Sequence, residues 1–116
     1  MIEIDKNTKR IRMRRGDTGN IHINGFPNDG ITYTAYLAVN EGTRIMQEWH
    51  ATVVNGSATL LISAGTSDVI PEGNYTYAIK NCYTNADSME CEDTLLPKLD
   101  SEAPEFIVLD KLVEGT

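Results

Sequence analysis

At 116 residues the chain has the length of one domain with a single core, and 41% apolar against 23% charged residues is ordinary globular composition. Its apolar runs are too short for a membrane-spanning helix, and MIEIDKNTKR at the start lacks the apolar stretch of a secretory signal, so the expectation is a protein made in a cytosol that leaves it, if at all, by a route such as lysis. A net charge of -7 speaks against nucleic acid as the main partner.

The elements read mostly as short strands. Residues 2 to 5 form a short strand or an extended arm. From Thr8 to Arg15, Ile11 and Met13 point one way while Arg10, Arg12 and Arg14 make a ladder on the other face. Gly16-Asp17 turns the chain, and Ile21 and Ile23 alternate with Asn20, His22 and Asn24. Residues 25 to 30 are rich in loop formers. ITYTAYLAV (31 to 39) follows, with Ile31, Tyr33, Ala35, Leu37 and Val39 inward, and Asn40-Glu41-Gly42 makes a hairpin loop. A strand carrying Ile45 and Trp49 ends at Asn55-Gly56, the strongest hairpin signal in the chain. Ala58, Leu60 and Ile62 then alternate with polar neighbours. Residues 64 to 70 hold one helical turn, with Ser67-Asp68 as its cap.

The stretch IPEGNYTYAIKNCY (70 to 83) organises the rest. Pro71 and Gly73 mark a turn, after which Tyr75, Tyr77 and Ile79 share one face and Asn74, Thr76, Ala78 and Lys80 the other. That is a half-buried strand near the centre of a two-sheet sandwich. A loop at 85 to 88, a strand from Met89 to Leu96, a loop from Pro97 to Pro104 and a last strand EFIVLDKLV (105 to 113) complete the chain. The fold class is all-β: an immunoglobulin-like antiparallel β-sandwich of seven to nine strands with little or no helix. Residues 1–116 form one domain, and 105–116 serve as a last strand with an extended tail.

Little points to reaction chemistry. His22 and His50 alternate with apolar residues and face solvent, and no nucleophile elbow, metal-protease motif or phosphate loop occurs. The expectation is a protein that is not an enzyme, with no cofactor and no metal. A turn centred between Ala86 and Asp87 sets Cys82 opposite Cys91, where Cα atoms approach to roughly 4.5 Å. This reads either as a disulfide pinning a long hairpin in an oxidising setting or as two free thiols side by side. Arg15-Gly16-Asp17 spells an adhesion tripeptide but does ordinary work as a turn. Asn55-Gly56-Ser57 and Asn74-Tyr75-Thr76 match glycosylation sequons only by coincidence.

The ladder Arg10, Arg12, Arg14 reads in two ways: as a row that engages carboxylates of a partner, or as edge protection against unwanted strand pairing. Charge is unevenly spread. Six of the ten basic residues lie in the first fifteen positions, and nine of the seventeen acids lie from Asp87 onward, opposed only by Lys98 and Lys111. Such polarity reads either as steering like molecules head to tail in an assembly or as two solvated faces that happen to differ.

The ordered set Arg15-Gly16-Asp17-Thr18, Ile70-Pro71-Glu72-Gly73-Asn74-Tyr75-Thr76-Tyr77, Thr94-Leu95-Leu96 and Phe106-Ile107-Val108 resembles the N-terminal immunoglobulin-like domains of bacteriophage upper-baseplate and tail accessory proteins. The resemblance runs over nearly the whole chain. It implies a β-sandwich virion protein, made in the bacterial host cytoplasm, that docks to other virion proteins. The longer members' receptor-binding or linking region has no counterpart here. The expected function is therefore a small adaptor or decoration module of tail, baseplate or head, present in several copies or as a homo-oligomer, without nucleic acid or membrane as partner. Partner-binding residues on this reading are Arg10, Arg12 and Arg14, with Phe106, Val108 and Leu112 in a C-terminal segment that pairs with or wraps a neighbour. The alternative is a carbohydrate-binding or adhesion module on the same fold, with Tyr36 and Tyr83 outward and Trp49 the single tryptophan.

Overall fold

The computed structural model describes residues 2–85, 88–96 and 102–110. Among them are nine strands and one short helix: β1 (Glu3–Ile4), β2 (Ile11–Arg14), β3 (Gly19–Asn24), β4 (Thr34–Glu41), β5 (Arg44–Thr52), β6 (Ser57–Ile62), α1 (Ala64–Ser67), β7 (Gly73–Asn85), β8 (Ser88–Leu96) and β9 (Glu105–Leu109). Seven strands form one sheet in the order β1-β2-β9-β7-β4-β5, with β8 also paired to β7, and β3 and β6 form a second sheet. The protein is an all-β sandwich. Every pairing is antiparallel except one: β2 and β9, the beginning and end of the fold, run parallel.

The period-2 pattern decides which side chains enter the core. Ile11 and Met13 from β2, Ala35, Leu37 and Val39 from β4, Tyr75, Tyr77 and Ile79 from β7, and Phe106 and Val108 from β9 are buried against Ala58, Leu60 and Ile62 from β6. Ile31 departs from its expected inward place: it precedes β4 and is 51% exposed. Trp49 and Phe106, on strands separated by β4 and β7, stack with centroids 6.1 Å apart, and Tyr77 meets the edge of Phe106 at 6.2 Å. The aromatic bodies therefore bridge the inner face of the large sheet.

β7 is the central strand. Thr76 to Cys82 pairs with β4 along one edge; Gly73 to Thr76 pairs with β9, and Ile79 to Asn85 with β8. Because a strand has only two edges, β9 and β8 share the second one end to end. Where they meet, the Tyr77 amide donates to the Pro104 carbonyl at 3.1 Å, so the ladder has no gap there. At the entry to β7 the Tyr75 hydroxyl donates back to the Pro71 carbonyl at 2.7 Å. The contact has the form of a tyrosine corner, in which a phenol ties the turn between two sheets to the strand that follows.

Two turn expectations change. Asn55 and Gly56 have φ of 51° and 78°, the paired left-handed geometry that this dipeptide favours, and Val54 bridges Ser57. The turn closes that one antiparallel pair as the dipeptide predicts, but β5 goes on to pair with β4 and β6 with β3, so the hairpin ends there and the chain passes from one sheet to the other. Gly56 is required twice over, since an added Cβ would also sit 3.1 Å from the Phe26 carbonyl oxygen. The hairpin of β4 and β5 closes through Gly42 and Thr43, with Glu41 opposite Arg44. In α1 the N-cap is Ser63, whose side chain accepts from the Thr66 amide in a capping box. Ser67 and Asp68 lie at the other end, and the buried Ser67 hydroxyl donates to the Asp17 carbonyl at 2.7 Å. The last strand stops at Leu109; Lys111 to Thr116 fall outside the described residues.

Two substitutions should separate the core from the corner. Phe106→Ala is expected to cost roughly 3–5 kcal/mol because the cavity cannot collapse between stacked rings. Tyr75→Phe is expected to cost about 1 kcal/mol, the net worth of one hydrogen bond. Urea melts of both variants check the order; equal losses would mean that the corner carries packing as well.

Candidate functional site

Three regions hold the residues that the sequence singles out. On the outer face of β2, Arg10, Arg12 and Arg14 project as the alternation requires, but they already have partners within the chain. The parallel pairing of Ile11 with Phe106 sets Glu105 beside Arg10, and the two form an ion pair at 3.0 Å. Arg12 faces Glu3 across the β1 ladder with N···O 3.9 Å. Arg14 donates to the Asp110 carbonyl at 3.1 Å. The edge-protection reading is narrowed, because β2 lies between β1 and β9 and, among the described residues, only Met13 and Arg14 are left without a neighbour on the β1 side. Phe106 and Val108 are 0% and 1% exposed, so they are core residues and not a partner surface. Leu112 lies outside the described residues.

The second region is the turn after β2. Gly16 takes φ 85°, the Asp17 amide donates to the Arg14 carbonyl at 3.0 Å, and the Arg14 amide donates to the Asp17 carboxylate at 2.9 Å. Arg15 donates from Nε and Nη2 to the Asp68 carbonyl at 3.3 and 3.0 Å. The tripeptide is thus a closed turn whose charged groups are engaged in holding α1 and β9 together.

The third region was not picked out from the sequence. A cleft of 540 Å³ opens between β3 and the N-terminal segment. Its floor is Ile11 from β2 with Tyr77 and Ile79 from β7, Ile4 forms a wall, and Lys6 and Lys9 stand at the rim. The turn that carries the lysines is built by Asp5, whose carboxylate accepts the Asn7 and Thr8 amides at 2.8 and 3.1 Å. Those hydrogen bonds hold the Asp5 carboxyl below the usual carboxylate range. Lys9 takes φ 64°, and its carbonyl accepts the Tyr77 hydroxyl. Burial pushes the Tyr77 hydroxyl up to about 12. The only sequence signals for this cleft were the N-terminal lysines and the apolar positions, and which strands would lie beside one another cannot be read from either.

Beyond the sandwich, β7 and β8 continue as a two-stranded ribbon, since the pairing of β4 with β7 ends at Cys82. The register of Asn85 with Ser88 through Cys82 with Cys91 is the one the turn position predicts. Irregularities then shift it between Cys82 and Asn81 and again between Lys80 and Ile79. Cys82 is disulfide-bonded, and the residue opposite it is the chain's only other cysteine. Next to it, the Asn81 amide is 1% exposed, with no hydrogen-bond partner on either side-chain atom among the described residues.

His22 and His50 are both exposed. His22 Nδ1 and Nε2 lie 2.9 and 3.1 Å from Thr59 Oγ1 and Asn24 Oδ1 on the outer face of the small sheet, and His50 packs against Tyr36 with ring centroids 5.4 Å apart. Trp49 is 5% exposed, and Tyr83 meets Tyr33 edge-on at 6.0 Å. Among the described residues, no group of three metal-ligating side chains occurs. No protein-family model matches the chain, and neither a curated protein nor a solved structure does.

Two outcomes test this geometry. Replacing Arg10, Arg12 and Arg14 by Ser should leave the fold intact, each exposed ion pair contributing about 0.5 kcal/mol; a urea melt that moves far beyond that would make the ladder structural. The second concerns Tyr77. A folded-state value above the ordinary 10.0 means the native state holds the phenol proton more tightly, so its contribution is full below pH 10.0 and is lost as pH rises towards about 12. Thermal melts between pH 9 and pH 12 should fall through that window, and the fall should be shallower in Tyr77→Phe.

Proposed function

We propose that this chain is a non-enzymatic contact module: a β-sandwich that binds other proteins of a bacteriophage virion, as an adaptor or decoration subunit present in several copies. The observation that carries the reading is the apolar cleft beside β3. Ile4, 44% exposed, and the half-buried Ile23 lie open beside a buried apolar floor and are rimmed by lysines, which is what a protein-binding surface presents. The ribbon of β7 and β8 adds a projecting element, and the disulfide at Cys82 suits a protein that works outside a reducing cytosol, as a released virion does. The phage setting rests on the resemblance. Its motifs fall at the turn after β2, at the tyrosine corner and β7, within β8 and within β9.

A second reading, binding of a carbohydrate, is favoured by one feature. Tyr36 and His50 lie side by side on the outer face of β4 and β5, with ring planes 35° apart, as a small aromatic platform. The other large aromatics of the described strands are turned inward or packed on one another.

Light scattering behind a sizing column, at low and high salt, tests the first reading. The expected result is an assembly larger than a monomer that shrinks as salt screens the charged contacts between subunits. A strict monomer at high concentration that also binds an immobilised glycan panel would replace the contact module by the carbohydrate reading.

A further inference from the structure

We infer that the open edge of β3 is an acceptor for an added strand, supplied by an extended segment of a partner protein that is apolar at alternate positions and acidic between them. The inference rests on the contact-module reading and names the partner's chemistry.

β3 pairs with β6 along its whole length, Gly19 to Asn24, on one side only; among the described residues no strand pairs its other edge. The lining of the cleft shows that this edge is reachable. Every residue from Ile21 to Gly25 contributes to it. Alternation alone would supply only Ile21, Ile23 and Gly25. The side chains of His22 and Asn24 are occupied elsewhere, in a network with Thr59 and Ser57 over the outer face of the small sheet. What His22 and Asn24 bring to the cleft is therefore their main chain. Along that stretch every second main-chain unit turns its donor and acceptor to the free edge, a spacing that another extended main chain repeats and a compact small molecule does not.

The remaining walls define the guest. Ile11, Tyr77 and Ile79 form an apolar floor that is itself buried, so the apolar surface a guest meets is that of the half-buried Ile23 on β3 and of Ile4, 44% exposed at the side. A guest strand thus places apolar side chains downward at every second residue. At the rim the charge is positive: Lys6 and Lys9 stand on the turn that Asp5 caps and the Tyr77 hydroxyl anchors, while the Asp5 carboxylate is itself engaged with two amides. Carboxylates between the apolar positions complement that rim. At the start of β3 the Ile2 side chain covers the face of Gly19, 3.2 Å from where a Cβ would be, and β3 lines the cleft only from Ile21 onward. The guest consequently runs from Ile21 to Gly25 and not along the whole of β3.

The test uses the whole chain and a labelled nine-residue peptide of alternating valine and glutamate. Binding by fluorescence anisotropy is expected at low salt, at least tenfold weaker for the same peptide with lysine in place of glutamate. The charge-reversed protein Lys6→Glu/Lys9→Glu should invert that preference. Two N-methylated peptides, one modified at every valine and one at every glutamate, probe the main-chain bonds: in an added strand alternate N–H groups face the acceptor, so only one of the pair loses binding, by tenfold or more. Amide exchange should slow at alternate residues between Ile21 and Gly25, those whose N–H groups face away from β6, when the unmodified peptide binds. No binding, or binding indifferent to which residues are methylated, overturns the proposal. Protection of the same amides by self-association without peptide also overturns it, by making a second copy the occupant. An oligomer that leaves these amides unchanged removes the β3 acceptor but keeps the contact-module function.

Discussion

The constraint on which this molecule depends is the mismatch between its two sheets. Seven strands stand on one side and two on the other. At about 4.8 Å per strand, a two-stranded sheet covers only about 10 Å of width, less than half of the face opposite. The uncovered width has to be closed by something else or left wet. On the β5 flank it is closed by α1: Trp49 Nε1 donates to Thr66 Oγ1 at 3.0 Å and Gln47 donates to the Thr66 carbonyl at 3.1 Å, so the helix is tied to the end of the large sheet. On the β3 flank the N-terminal segment is, among the described residues, all that lies there, and the cleft is what remains. The candidate site is thus a consequence of strand number, before any individual side chain is considered.

β7 makes the unequal sheet possible. It has enough length to serve β4 on one edge and both β8 and β9 on the other, and Pro104 fills the junction between the last two. The same strand supplies the corner phenol at Tyr75, the floor of the cleft at Tyr77 and Ile79, and the disulfide at Cys82. Packing, cleft and ribbon are therefore coupled through one backbone. An isolated two-stranded ribbon has little stability of its own, so a covalent tie at its base, where the support of β4 ends, is placed where it constrains the most.

The sequence made the strands and their inward faces legible because period-2 alternation is a local signal. Ile11 and Met13, Leu37 and Val39, and Tyr75 and Tyr77 all follow it into the core. It also set the register of β7 with β8 as far as Cys82, because that register follows from the turn. What it could not show is pairing at a distance. Asn55-Gly56 has the chemistry of a hairpin turn, yet a turn does not determine whether its two strands bond to each other or leave for opposite sheets. Phe106 and Val108 alternate as any half-buried strand does, and nothing local told an inner strand beside β2 from a segment left for a neighbour. The parallel contact of β2 with β9 also redefines the arginines. An outward row was readable, but Glu105 and Asp110 stand some ninety positions away in the chain, and only the fold brings them beside it.

That pairing changes where recognition charge is to be sought. An exposed arginine that already shares a carboxylate has to give up that contact before it can engage a partner's, and the net gain is small because both arrangements are screened by water. Lys6 and Lys9 stand instead beside apolar surface that is open to a guest. A carboxylate arriving there comes with side chains that displace water from isoleucine, so its charge interaction is formed as the local dielectric falls. The same number of positive charges therefore does more at the cleft than on the ladder. The work of the ladder and of Arg15 beside it is to hold the two termini of the sandwich side by side: Arg10 reaches from β2 to β9, Arg12 from β2 to β1, Arg14 to the Asp110 carbonyl, and Arg15 from the turn to both Asp68 and Asp110. Fixing that corner also fixes the N-terminal wall of the cleft, since Ile4, Lys6 and Lys9 are carried on the chain that β1 and β2 anchor.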